Sequence, residues 1–194
     1  MANITVQSGK LRHRIDVQSV ATTLTSPYNE DVAEVWATNQ VTRGAVMPLI
    51  GREFIEAAQV NADVTHKVTL RYVPNLTSTR HRLLYPVEYT TLSAAITDTV
   101  PGVVSLTSNS FLLESDPASG PATSYILKVD SENMLVSFTG GVVTSVTRGA
   151  FGTTAATHAT GAAVKLLNIL HIIWPGDVDT RHRQMNLYCK TTTL

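Results

Sequence analysis

Arginines that flank a histidine are the side chains whose types and spacing most clearly suggest chemistry. The tripeptide Arg-His-Arg occurs three times, at residues 12–14, 80–82 and 181–183. Successive side chains of a β-strand point to opposite faces, so each tripeptide would project both arginines from one face. Neighbouring strands of this kind would form a basic patch that faces DNA or an acidic partner. Two alternatives stay open: charge that protects an edge strand from aggregation, and ion pairs with aspartates such as Asp16 and Asp179.

The remaining candidate catalytic groups lack the spacing that a known chemistry requires. The sequence has no Gly-x-Ser-x-Gly elbow, no phosphate-binding loop and no His-Glu-x-x-His pair. Residues 176–179 (GDVD) could supply oxygen ligands to a cation, but Gly and Asp after Pro175 are more typical of a turn. Cys189, the single cysteine, alternates with core positions, which indicates a buried and inert thiol. The sequence therefore predicts neither an enzyme nor a cofactor.

Composition limits the classes of protein that remain. Of the 194 residues, 43% are hydrophobic and 15% are charged, and the formal net charge is zero. A neutral chain is unlike a free nucleic-acid binder, which needs a basic footprint. No apolar run approaches the roughly 20 residues of a membrane span, and no basic and then apolar leader begins the chain. We expect a protein that is made in the cytoplasm and has no membrane partner.

Alternation of apolar and polar residues with a period of two dominates the chain and predicts β-strands. A single helix is predicted over residues 49–61, where Ile50, Phe54, Ala57 and Ala58 form one stripe after a proline. The predicted class is mainly β, a small β-barrel or sandwich with one short α-helix. The predicted strands lie at about residues 11–18, 32–42, 66–73, 82–85, 169–174 and 184–190.

A change in amino-acid composition predicts a second domain. From about residue 94 to residue 166 charged residues are rare, and small residues, Thr, Ser and Gly, predominate. Short apolar runs continue there, and Gly140-Gly141 between two of them is typical of a tight hairpin. The sequence therefore predicts a small all-β domain at residues 93–167, inserted into a first domain made of residues 1–92 and 168–194.

Several short pieces of the chain occur in an order that resembles one protein family. The pieces are residues 11–15 (LRHRI), 35–37 (VWA), 51–53 (GRE), 65–72 (THKVTLRY) and 179–189 (DTRHRQMNLYC). Together they resemble the phage head–tail joining family, whose members are also described as head-closure or stopper proteins. The first hairpin lacks the glycine that is usual in that family, and residues 93–167 interrupt the family's pattern before its last strands.

The resemblance implies a virion structural protein and no catalytic step. Such a subunit would assemble as a homo-oligomeric ring at the neck, in the host cytoplasm, below the portal and adaptor proteins. It would retain packaged DNA and provide a docking platform for tail terminator or tail tube proteins. Non-specific double-stranded DNA in the channel would be held by scattered cations without base readout.

The same resemblance assigns candidate residues to these contacts. We expect the segment at residues 39–47 to be a loop that reaches a partner ring or the channel, and an ordinary surface loop is the alternative. Trp36 and Trp174 could anchor an interface or pack in the core. The candidate interface residues are Trp36, Arg52, Glu53, Arg71 and Tyr72. The candidate basic residues facing DNA or a partner are Arg12, Arg14, Arg43, Arg80, Arg82, Arg181 and Arg183.

The predicted insert contains a second sequence resemblance. Residues 130–136 (DSENMLV) and 146–158 (VTRGAFGTTAATH) resemble a β module that recurs in phage virion proteins, and the resemblance implies no activity. Because that module is not confined to connectors, a tail terminator or baseplate component is an alternative function. A receptor- or carbohydrate-binding module is another, although only 6% of the residues are aromatic.

Overall fold

A computed structural model describes residues 10–24, 32–50, 64–97, 104–108, 123–139, 142–179 and 181–192. β-Strands make up most of these residues, and the predicted mainly β class is confirmed. The chain divides into two compact units, the first formed by Met1–Tyr85 with Ile169–Thr192 and the second mainly by Pro86–Asn168. That residues 93–167 are a separate inserted domain stays a prediction. The strands are β1 (His13–Leu24), β2 (Val32–Pro48), β3 (His66–Arg71), β4 (His81–Thr91), β5 (Thr123–Val129), β6 (Glu132–Thr139), β7 (Val142–Thr147), β8 (Ala163–Val178) and β9 (Gln184–Thr192).

The first unit is built from strands that lie in the order β4-β1-β2-β3-β9-β8. Alternation forms them as predicted, because Ile15 and Val17 of β1, Val68 and Leu70 of β3 and Leu187 of β9 all point into one apolar core. Each of these five side chains is at most 1% exposed. An additional pairing joins β4 to β8, so the arrangement is ring-like without being a clean barrel.

The second strand is longer than the sequence predicts. The expectation of a loop at residues 39–47 was wrong, because β2 continues through them and pairs with β1 and then with β3. β-Branched residues such as Val41 and Thr42 favour this extended conformation. The strand ends at Pro48, which has no N–H group to donate to a neighbouring strand. Arg43 therefore lies on a strand and not in a loop.

The predicted helix at residues 49–61 falls almost entirely on residues 51–63, outside the described part of the chain. The candidate interface residues Arg52 and Glu53 lie in the same stretch. The described residues on either side of it are held by the sheet, since the Leu49 N–H donates a hydrogen bond of 2.9 Å to the Thr65 carbonyl oxygen.

Gly44 is the point where β2 comes closest to the core. A Cβ atom there would lie 2.5 Å from Leu70 Cδ2 and 2.6 Å from Ile15 Cδ1, both inside van der Waals contact. We expect Gly44→Ala to lower the free energy of unfolding by about 1–3 kcal/mol, because both neighbours must move. Urea denaturation measures the change. Arg43→Ala, at the exposed neighbouring position, should shift it by less than about 0.5 kcal/mol, and an equal loss in both variants would contradict this account.

The second unit contains strands in the order β8-β5-β6-β7, where the first half of β8 pairs with β5. Leu127, Met134 and Val164 are fully buried in its core. A tight turn joins β5 to β6, and Asp130 in that turn has a positive φ of 51°. Aspartate tolerates this left-handed conformation better than most residues, and the turn brings Glu132 to the start of β6.

Candidate functional site

Three arginines form a row across adjacent strands of the first unit. Arg14 of β1 is the register partner of Arg43 of β2. Gly44 is the partner of Leu70, so the preceding residue, Arg43, comes opposite Arg71 of β3. Directly opposed residues of antiparallel strands share a face, with their Cβ atoms about 4.5–5.5 Å apart. All three side chains are exposed. We call Arg14, Arg43 and Arg71 the arginine row.

Neither edge protection nor ion pairing accounts for this row. Strands β1, β2 and β3 are interior members of the strand order, so the row does not protect a sheet edge. Within the part of the chain that the structure describes, the three side chains form no ion pair. Like charges placed opposite each other destabilise a sheet, and a bound polyanion would relieve that repulsion.

Arg82 does not belong to a basic surface, and its assignment as a residue that faces DNA is corrected. The residue is only 6% exposed. Its Nε donates a hydrogen bond of 2.7 Å to Gln18 Oε1, and its guanidinium lies 4.4 Å from the centre of the Trp36 ring. The amide oxygen and the ring replace water around this cation. Trp36, a candidate interface residue, is thereby half-buried against Arg82.

The remaining candidate arginines are exposed, but they lie at different places in the first unit. Arg12 precedes β1 and is two residues from Arg14. Arg80 lies at the start of β4, where its carbonyl oxygen accepts a hydrogen bond of 3.0 Å from the Val20 N–H. Val20 is six residues along β1 from Arg14, on the order of 20 Å at the rise of a strand. The tripeptide at residues 80–82 therefore lies away from the arginine row.

Arg181 and Arg183 lie in the turn between β8 and β9 and not on a strand, contrary to the pattern predicted for Arg-His-Arg. Asp179 Oδ1 accepts a hydrogen bond of 2.6 Å from the Arg183 N–H, which closes the turn. His182 has a positive φ of 50° and packs edge-on against Tyr72, with 5.1 Å between ring centroids. We call the exposed pair Arg181 and Arg183, with His182, the arginine turn. The candidate interface residue Tyr72 supports this turn.

Charged residues of the second unit form a buried cluster that sequence reasoning missed. Glu132 is fully buried and accepts hydrogen bonds from Arg148 Nε (2.7 Å) and Nη2 (2.8 Å). The backbone N–H groups of Gly149 (2.8 Å) and Ala156 (3.0 Å) also donate to it, and His158 Nε2 lies 2.9 Å from its Oε2. Burial alone would raise the pKa of Glu132, but the hydrogen bonds from Arg148, His158, Ala156 and Gly149 outweigh it and lower the pKa to about 2.

The chemistry of this cluster is structural. Five donors surround the Glu132 carboxylate, which leaves little room for a substrate proton to approach it. The second ring nitrogen of His158, Nδ1, lies 2.9 Å from Asp130 Oδ2. The cluster therefore ties the segment from Arg148 to His158 onto β6.

Cys189 contributes no reactivity. Its side chain is buried, and burial raises the pKa of the thiol to about 12. A thiol that stays protonated at neutral pH is a poor nucleophile.

Comparison with known proteins adds one match. Residues 6–100 match the family model of the phage head completion protein. No curated protein and no solved structure matches the chain. Residues 179–189, which resemble the terminal strand of the head–tail joining family, lie outside the matched range. Within the described residues, no helix combines the length and hydrophobicity that a membrane crossing requires.

Proposed function

Through residues 6–100 the chain belongs to the phage head completion protein family, and from that premise we propose that it is a head-closure subunit of the neck. The family is a structural one, and its members are virion components of the head. The proposed subunit assembles in the host cytoplasm as a ring below the portal and adaptor proteins. The ring retains the packaged DNA and offers its far side to the tail terminator or tail tube proteins. Membership in a family of head proteins favours a head-closure function over a baseplate or carbohydrate-binding role.

The observation that carries the DNA-retaining part of the proposal is the arginine row. Three exposed guanidinium groups repeat across three interior strands at the spacing of the sheet, about 4.8 Å. Such a row contacts phosphates and has no arrangement suited to reading bases. A ring multiplies the row by the number of subunits, so a weak contact in each subunit becomes a strong one in the assembly. Neutrality of the isolated chain is therefore compatible with holding DNA.

The test is the triple variant Arg14→Gln, Arg43→Gln and Arg71→Gln. We expect particles that assemble the neck but lose packaged DNA, because the channel no longer neutralises phosphate. In binding assays with purified protein, the slope of log affinity against log salt should become shallower by about 0.9 for each phosphate contact removed. Retained DNA is measured by sedimentation and nuclease sensitivity of the particles.

A matched control removes the same charge elsewhere: Arg80→Gln, Lys128→Gln and Lys165→Gln. The control should retain DNA. Equal DNA loss in both triple variants would mean that overall charge matters and the row does not. Failure of the row variant to join the particle would assign the row to a subunit interface. Absence of the parent protein from particles would reject the proposed function altogether.

A further inference from the structure

The arginine turn lies where the arginine row ends. Gln184, the first residue of β9, is the register partner of Arg71, the last member of the row. The carbonyl oxygen of Arg183, the preceding residue, accepts a hydrogen bond of 2.9 Å from the Tyr72 N–H. Strand β9 follows β3 in the strand order. The turn therefore occupies the next position after Arg71 in the direction in which the row crosses the sheet.

The turn adds cations to those of the row. Arg181 and Arg183 are exposed, and within the described residues neither side chain forms an ion pair. Asp177 and Asp179 lie in the same connection. The second of these is engaged by the backbone, since its Oδ1 accepts hydrogen bonds from the N–H groups of Arg183 (2.6 Å) and Gln184 (3.3 Å). With the row, five arginines stand against these two aspartates, so the combined surface is cationic.

Tyr72 holds the turn beside the row. It follows Arg71 directly, and its ring packs edge-on against His182, with 5.1 Å between ring centroids. His182 has a positive φ of 50°, and its N–H donates a hydrogen bond of 2.9 Å to the Asp179 carbonyl oxygen. A left-handed non-glycine residue costs of order 1 kcal/mol or more and persists only where its surroundings enforce it. The packing on Tyr72 is such a constraint, and it fixes where the two flanking arginines lie.

We propose that the arginine turn continues the DNA contact of the arginine row, and that Tyr72 is the residue that positions it. This inference rests on the proposed function, in which the row faces packaged DNA. Four adjacent positions at the spacing of a sheet, about 4.8 Å, span about 14 Å. Along the axis of double-stranded DNA, roughly four phosphates of one strand occupy that length. The row and the turn together therefore match a run of phosphates on one DNA strand, a contact that places the duplex without reading its bases.

The first test measures how close the turn lies to DNA inside particles. An iron–EDTA chelate is attached to the introduced thiol of Arg183→Cys and activated with ascorbate and peroxide, so that it cuts DNA or protein only near the label. We expect cuts in packaged DNA from this position and from Arg43→Cys in the row. The matched control is Arg80→Cys, an exposed arginine away from the row, which should give no cuts. Parent particles give the background, because Cys189 is buried and protonated.

The second test separates the position of the turn from its charge. Arg181→Gln with Arg183→Gln should make the slope of log affinity for double-stranded DNA against log salt shallower by up to about 1.8, at about 0.9 for each phosphate contact. Tyr72→Ala keeps every arginine, yet it should also make the slope shallower, whereas Tyr72→Phe keeps the ring and should restore the parent slope. His182→Gly repeats the test in case Tyr72→Ala does not fold, since glycine adopts a positive φ readily.

Each outcome supports or overturns the inference. DNA cuts from positions 43 and 183, and not from position 80, support it. Cuts from position 43 alone would overturn it and leave the proposed function intact. Cuts from position 183 in another virion protein, with none in DNA, would overturn it and assign the turn to a protein contact. An unchanged salt slope in Tyr72→Ala or His182→Gly would refute the positioning role of Tyr72. Absence of the protein from particles would reject the proposed function itself.

Discussion

Replacing Arg148 with methionine is expected to lower the free energy of unfolding of the second unit by about 3–5 kcal/mol. Methionine keeps much of the aliphatic volume but removes the charge that faces the fully buried Glu132 carboxylate at 2.7 Å. Removing one member of a buried ion pair leaves the other charge buried without a partner. The loss in folding free energy is larger than the stabilisation that the intact pair provided. Arg148 also donates to the Ala156 carbonyl oxygen, so the variant releases the segment that follows β7.

The two tryptophans allow the units to be followed separately. Both Trp36 and Trp174 belong to the first unit. Tryptophan fluorescence in a urea titration therefore reports the first unit, whereas circular dichroism reports both. If residues 86–168 fold independently, Arg148→Met should move only the part of the dichroism transition that fluorescence does not follow. A shift of both signals together would contradict the prediction of a separate inserted domain.

A milder substitution in the same cluster is the control. The side chain of Asp130 is 59% exposed, and it contacts His158 at 2.9 Å. Exposed ion pairs contribute about 0–1 kcal/mol, so Asp130→Asn should change stability by less than about 1 kcal/mol. A loss as large as that of Arg148→Met would mean that the buried carboxylate is not the centre of the cluster.

The strands of the first unit could be predicted because their pattern reflects burial directly. Val68 and Leu70 lie in the core as expected, and Thr69 between them is buried as well, where its hydroxyl donates a hydrogen bond of 2.8 Å to Asn186 Oδ1. The continuation of β2 could not be predicted correctly, because residues 39–47 contain turn formers such as Asn39 and Gly44. The structure uses Gly44 for close approach to Leu70 and Ile15 and not for a turn.

The tripeptide Arg-His-Arg was a weaker guide, because local sequence does not determine which strands become neighbours. Only Arg14 joins the arginine row, and its companions Arg43 and Arg71 lie outside the repeated tripeptides. Arg82 is buried because β4 pairs with β1 next to Gln18, a contact between residues 64 positions apart. Register across distant strands was the missing information.

The buried cluster of the second unit had a signal that could have been used. Charged residues are rare between residues 94 and 166, so a carboxylate such as Glu132 and a cation such as Arg148 in that stretch were natural partners. The motif at residues 146–158 is explained by this contact: Arg148, Gly149 and His158 all hydrogen-bond to Glu132. The sequence did not reveal that the single carboxylate of Glu132 is the hydrogen-bond partner of all of these groups.

Acid should unfold the second unit through Glu132. Its pKa is about 2 in the folded protein and 4.5 for the ordinary side chain. A carboxyl group with a depressed pKa stabilises the fold fully above its ordinary pKa, and that stability is lost as the pH falls toward the folded value. At 1.36 kcal/mol for each pH unit, the loss between pH 4.5 and pH 2 is up to about 3 kcal/mol. Urea titrations at a series of pH values, followed by circular dichroism, measure it.

The matched variant for this prediction is Glu132→Gln, which keeps the shape of the side chain and cannot ionise. Its stability at neutral pH should be lower than that of the parent, and the difference should shrink as the pH falls from 4.5 to 2, since the parent carboxylate becomes neutral too. Carboxyl groups outside the cluster cancel in this comparison. A stability difference that stays constant over this range would mean that the hydrogen bonds to Glu132 do not favour its charged form. That result would also contradict the role of Arg148 in stabilising the Glu132 carboxylate.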